Sequence, residues 1–271
     1  MARPWALVAG RSLRTAGAVQ LVFDPFDYPF LFFVVALISF WIAAWVGAWF
    51  RERQRDPTTN GRDDFTFVLG AALTLLGLII GFTFSMAVSR YDLRKNYEEQ
   101  EANAIGTEYV RAALLPAADA AKVRALLKRY LEQRILYYTI RDGAQRRQID
   151  SRTTRLQTEL WDAVATPAMA QPNPVMALVV AGMNDVLNSQ GYTQAAWLNR
   201  IPSAAWALLL IISILCNLLV GFVSHGRRPV LFLVLPIALS VSLFLIADID
   251  APIGGVIRVH PDNLHSLAGS L

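Results

Sequence analysis

One cysteine, Cys216, and three histidines, His225, His260 and His265, are all the chain has of either residue in 271 positions. A lone thiol cannot close an internal disulfide, so no cross-linked framework holds the fold or reports the compartment. The histidines are too few and too scattered to aim several donors at one metal ion. Charge is also scarce: 17% of residues are charged and 55% hydrophobic, with a mean hydropathy of +0.38. Water alone is a poor solvent for such a composition. There is no nucleophile elbow, no phosphate-cradling glycine loop and no pair of acids inside an apolar run, which argues against an enzyme and gives no reason to expect a cofactor.

What the chain has instead is long apolar runs. A bilayer core of about 30 Å takes roughly 20 apolar residues as helix. Four segments qualify: Phe30 to Phe50, Phe65 to Val88, Pro202 to Val223 and Val230 to Ala247, none containing a charge. Ser39, Thr74, Ser85, Ser213, Asn217 and Ser240 fall inside them, where they can bond to backbone carbonyls or across helices. Trp41, Trp45 and Trp49 recur at every fourth position of the first, an arrangement that suits a lipid-facing surface ending beside Arg51. Cys216 falls in the third run and reads as a small packing residue. The stretch before the first run mixes Trp5, Leu7, Leu13 and Val19 with Arg3, Arg11 and Arg14, which predicts an interfacial helix rather than a signal peptide.

Between the second and third runs, residues 89–201 are helical in pattern: Ala, Leu, Arg, Glu and Gln dominate, and strand signals are absent. Pro116, Pro167, Pro172 and Pro174 act as punctuation, which predicts helices over Arg90–Leu115, Asp119–Arg141, Asp150–Val164 and Pro174–Gln190. In the second of these, Leu126, Tyr130, Ile135, Tyr137 and Tyr138 supply an apolar face, and Lys122, Arg124, Lys128, Arg129 and Arg134 a solvated one. Acids nearly balance bases across this region, so nucleic acid is not an expected partner. The predicted organisation is a segment 1–29 at the interface, a first helix pair over 30–88, a helical extramembrane domain over 89–201, a second pair over 202–249 and a tail over 250–271. Four spans put both ends and the domain on one side. Arg51, Arg53, Arg55, Arg62, Arg227 and Arg228 in the opposite loops compete with Arg90, Arg94, Lys95 and Arg200 on the domain side, so charge alone does not orient the protein.

The stretch from Leu73 to Gly106 passes from apolar to charged residues with no turn signal, as a helix would that crosses the membrane and continues into water. At its membrane exit stand Gly81 and Phe82, then six residues, then Ser89, Arg90 and Tyr91; further on come Glu101, Ala102 and Gly106. After the last span come Asp250, Pro252, Ile253 and Gly254, then Pro261, Asp262, Asn263 and Leu264. In order and spacing these resemble the bestrophin ion channels: the Gly-Phe and Thr-Arg-Trp residues of their pore helix, the Glu-Ala pair and glycine after it, the Pro-Phe-Gly turn and the Asn-Asp-Leu element. The nearest fit is the bestrophin-like domain family of bacterial and plant membrane proteins.

The resemblance implies an all-α membrane protein with four transmembrane helices and a large helical domain between the second and third. It further implies a homopentamer in the lipid bilayer of a bacterial inner membrane, with termini and domain cytoplasmic. Small monovalent ions would pass through a pore lined by the second helix. Carried over by position, the neck would be Thr74, Leu78 and Phe82, whose phenyl edges favour chloride or another small anion. Gly77, Gly81 and Ser85 lie beside that line, where they can face the pore or pack one helix on another, since Gly77 and Gly81 form a GxxxG pair. Where calcium-activated relatives carry a run of acids after the turn, this chain has Gly255, Val256, Ile257, Arg258 and Val259, so no calcium clasp is expected. Asp248 and Asp250, at the membrane edge, are expected to cap or be solvated rather than bind a cation. The competing function is a non-conducting scaffold or sensor that binds a partner through its helical domain.

Overall fold

The apolar runs and the helical pattern between them are realised as helices throughout a computed structural model, which describes residues 28–53, 59–224 and 229–271. In chain order these are α1 (Pro29–Arg53), α2 (Thr59–Arg111), α3 (Ala117–Thr139), α4 (Gly143–Ala170), α5 (Pro174–Leu198), α6 (Ser203–Val223), α7 (Pro229–Asp250) and α8 (Asp262–Ser270), with no strand among the described residues. The expected interfacial helix before Pro29 lies outside them. Four helical stretches are long and apolar enough to cross a membrane. The 53 residues of α2 make a rod of roughly 80 Å at the usual rise per residue, far longer than a bilayer core, so its second half projects beyond.

Two hydrophobic cores form along α2. In the first, Phe32 and Phe40 of α1, Leu76 of α2, Trp206 and Leu209 of α6 and Leu243 and Ile246 of α7 pack together, with Cys216 buried among them. The second gathers Ile105 of α2 with Val123, Leu127 and Tyr130 of α3, Leu160 and Val164 of α4 and Val179 and Met183 of α5. Tyr91, half-buried, packs against both.

Helices α1 and α6 approach closely, and the cause is two glycines. A Cβ at Gly47 would strike the carbonyl of Leu218, and one at Gly221 would strike the carbonyl of Ala44. Each bare Cα therefore rests on the other helix's backbone, the small-residue contact through which helices associate in lipid, where no hydrophobic effect drives them together. At the same end Arg51 donates to the carbonyls of Val223 and Ser224, supplying the acceptors that end α6 with a partner. Gly221→Ala is expected to lower the unfolding free energy by about 1–3 kcal/mol, the usual effect of overpacking, read as an earlier thermal transition of the detergent-solubilised protein.

The helix ends depart from the sequence-based expectations in instructive ways. The predicted Asp150–Val164 helix runs from Gly143 to Ala170, started by Asp142, whose carboxylate accepts from the N–H groups of Ala144 and Gln145. Pro167 sits inside it, buried, so it does not break the helix. The predicted Pro174–Gln190 helix continues to Leu198; Asn173 caps Met176 at 2.9 Å with Pro174 in the first turn, and Gly191 is simply passed through. Pro116 does stop a helix: α2 tightens into a 3₁₀ turn over Ala112–Leu114, and Leu115 before the proline is extended. Arg134, expected on the solvated face of α3, is fully buried instead.

Candidate functional site

Helix α2 has two unlike sides. Leu76, Thr83, Ala87, Arg94, Glu98, Glu101, Ile105 and Glu108 recur at helical spacings and are all buried. On the opposite side Thr74, Leu78, Phe82 and Ser85, and beyond the membrane Asp92, Asn96, Glu99 and Asn103, are all exposed. Leu78 and Phe82 leave 54% and 66% of their surface uncovered. Thr74 donates back to the carbonyl of Gly70 at 2.9 Å, so its hydroxyl is satisfied along its own helix. Around Gly77 and Gly81 there is open space where a Cβ would stand, so no described helix of this chain packs on them. Thr74, Leu78, Phe82, Gly77, Gly81 and Ser85 thus share one side of α2 that the other described residues leave uncovered.

The buried side explains the other motif residues. Arg90 faces Asp250 at 3.8 Å, which joins the end of the second span to the turn after the fourth. Asp250 accepts from the N–H of Ile201 through both oxygens at 3.2 Å, and so also pins the entrance to the third span. Asp248 accepts from Val256 and Ile257 at 2.7 and 2.8 Å, closing the loop that follows the Pro252–Gly254 turn. Both aspartates are buried and accept from the backbone N–H groups of loop residues, so the expected solvation is replaced by those donors. Gly106 leaves room for the Leu267 side chain of α8, 3.0 Å from where its Cβ would be.

Glu101 is the hub of the extramembrane domain. Arg134 of α3 grips it with Nε on Oε1 and Nη2 3.3 Å from Oε2, and Tyr138 (3.3 Å) and Thr193 of α5 (3.1 Å) donate to Oε2. Both charged side chains are 0% exposed. Burial is the largest single influence and works against the Arg134 charge, but the charge and hydrogen bond of Glu101, with Tyr130 and Tyr138, together outweigh it and hold the guanidinium above its ordinary range. Burial and the Glu101 charge together push the Tyr138 phenol up, so it stays a donor.

Sequence reasoning passed over three residues of this side. Arg94 donates to the carbonyls of Ala196, Asn199, Ile249 and Asp250. Glu98 caps α8 through the N–H of Leu264 at 3.0 Å and holds the Asn263 amide at 2.6 Å. Glu108 is buried near the far end of α2. All three fall in register with Leu76, Thr83 and Ala87, so a charged residue at a core position was the available signal. His225 lies outside the described residues, and no group of three or more metal-ligating side chains occurs among the residues described.

A family model, the Bestrophin-like domain, matches residues 31–264. Among solved structures, a bacterial bestrophin homologue from Klebsiella pneumoniae phased on zinc superposes with a TM-score of 0.59 at 16% identity, covering 89% of this chain and 98% of that one. A point variant of a bacterial bestrophin homologue from the same organism gives 0.62 at 15% identity, over 88% of this chain and 97% of that one. At such identity the likeness is one of fold. No curated protein sequence matches.

Proposed function

The chain belongs to the bestrophin-like domain family, and on that premise we propose that it is one subunit of a homopentameric ion channel whose pore is lined by α2. The observation that supports this reading is the unpartnered side of α2. An apolar and hydroxyl-bearing stripe within the span continues without a break into a polar stripe beyond it, while the opposite side is fully engaged in the subunit's own cores. Lipid would satisfy the first half of that stripe but not the second. A water-filled axis shared by several subunits suits both.

In this arrangement Thr74, Leu78 and Phe82 form a neck that wets and dries, with Gly77, Gly81 and Ser85 giving neighbouring copies room to approach. The phenyl edges of Phe82 favour a small anion such as chloride at the neck. Asp92 and Glu99 stand on the same side beyond the membrane, so the sign of the carrier is read from the reversal potential under a salt gradient, not from flux alone. We place the protein in a bacterial inner membrane with the helical domain cytoplasmic, testable by reporter fusions at Leu271.

The deciding experiment joins particle images of the detergent-solubilised protein with ion flux from liposomes. Five-fold particles and flux of a monovalent ion are expected, with flux rising several-fold in Phe82→Ala as the apolar constriction widens. A well-folded oligomer that passes no monovalent ion would overturn the reading. An open groove of about 490 Å³, lined by Trp161, Pro172, Met176 and Val180, favours a second one, a scaffold that docks a partner on its helical domain. A monomeric or dimeric particle would support that alternative.

A further inference from the structure

Near the far end of α2, Glu108 faces α5 with none of its surface exposed, and neither of its carboxylate oxygens has a hydrogen-bond partner among the described residues. Its seat is built by an absence. At Gly182 of α5 a Cβ would run into Glu108 Oε2 and the Arg111 guanidinium, so the acid and the arginine lie against bare backbone. The charged groups that act on it are Arg111 on its own helix and Asp185 on α5. From α3, Arg124 and Lys128 turn to the ring of Tyr109 instead, 5.3 and 5.7 Å from its centre. From α8 the nearest turn of α2 receives Leu267, which is apolar.

Burial makes a carboxylic acid the better fit to this seat, against the pull of the Arg111 charge beside it. The neutral form leaves modest hydrogen-bonding capacity unmet, whereas the ion would be buried without a hydrogen bond. We propose that Glu108 is a proton-operated latch: neutral, it lets α5 seat on the distal end of α2, and its ionisation favours local separation of the two helices. Its ionisation behaviour agrees with the geometry. Burial pushes the group up from its ordinary 4.5 to about 8, Asp185 adding to the rise and Arg111 opposing it. Because the seated form binds its proton more tightly than the opened form, seating is strongest below the ordinary value. It then weakens as pH rises and levels off above about 8. If α2 lines a pore, the latch acts on its vestibule end; that consequence rests on the channel reading, but the latch itself does not.

The test is amide hydrogen exchange of the full-length protein in detergent, followed over 104–114 and 178–189 and corrected for the intrinsic pH dependence of exchange. The opening equilibrium of the wild type is expected to rise by up to about tenfold per pH unit across the neutral range, one proton being linked to opening, and to flatten above pH 8. Glu108→Gln, which cannot ionise, is expected to be flat throughout. Glu108→Met, similar in length and apolar, serves the same purpose if the glutamine variant does not fold. Opening that is independent of pH in the wild type, or that titrates equally in the variants, overturns the latch. Liposome flux, measured separately, decides the channel reading without bearing on this result.

Discussion

Arg134→Leu is expected to destabilise the protein by about 3–5 kcal/mol, the usual loss when one partner of a buried ion pair is removed. Glu101 would remain at the junction of α2, α3 and α5 with Tyr138 and Thr193 as its only donors among the described residues. Two neutral hydroxyls do not replace a guanidinium in a site that excludes water. Arg134 also stacks its charge 4.6 Å from the ring of Tyr137, whose indole neighbour Trp197 stands at the base of the domain. Its loss therefore loosens α5 as well as α3. Replacing both members, Glu101→Met with Arg134→Leu, is expected to recover much of the loss, because the desolvated charges disappear together. Thermal unfolding of the two single variants and the double variant, read as a double-mutant cycle, checks this. Additive losses would show that the pair does not act as a unit.

The contrast between Glu101 and Arg134 shows what was legible in the sequence. Glu101 stood out because it follows a long uninterrupted helical stretch at a recognisable spacing from Arg90 and Gly106. Its partners lie 33 and 92 residues further along, and nothing local marks either. On a helix whose other basic residues are mostly exposed, Arg134 looked like one more solvated cation; only packing against α2 shows its position to be core. The spans were legible because a bilayer demands length and apolarity, both local properties. The continuity of α2 followed from the lack of any breaker between Val88 and Gly106.

Helix ends are less legible where prolines act as punctuation. Pro167 is tolerated near the end of α4, and Gly191 is carried inside α5 because neighbouring turns are held by packing. The exposed side of Thr74, Leu78 and Phe82 was visible as a stripe. That no other described residue covers it is a tertiary fact, since Gly77 and Gly81 resemble the packing glycines Gly47 and Gly221 in sequence and differ from them only in what lies opposite.

Arg94→Ala is the other change expected to be severe, again about 3–5 kcal/mol for a buried charge removed from its partners, and its effect is to disconnect rather than to hollow out. One guanidinium serves two helix ends. Its Nε reaches the carbonyl of Ala196 at 3.2 Å and its Nη2 that of Asn199 at 3.4 Å, where α5 stops; Nη1 and Nη2 reach Ile249 and Asp250 at 3.2 and 3.1 Å, where α7 stops. Those terminal carbonyls carry the negative end of each helix dipole, so a fixed positive charge is the right partner for both. The planar fork matters as much as the charge. Arg94→Lys keeps the cation but cannot spread donors over four acceptors, so an intermediate loss is expected. Without Arg94, Asp250 is left with the Ile201 N–H and the charges of Arg90 and Arg200. The turn that fastens the last span to α2 is then free to shift, and with it the orientation of the side that bears Phe82. If the protein assembles as proposed, oligomeric particles become fewer in Arg94→Ala at temperatures where the wild type is intact, with Arg94→Lys between them. Equal oligomer yield and equal unfolding temperature in all three would show that α2 is positioned by the apolar cores alone.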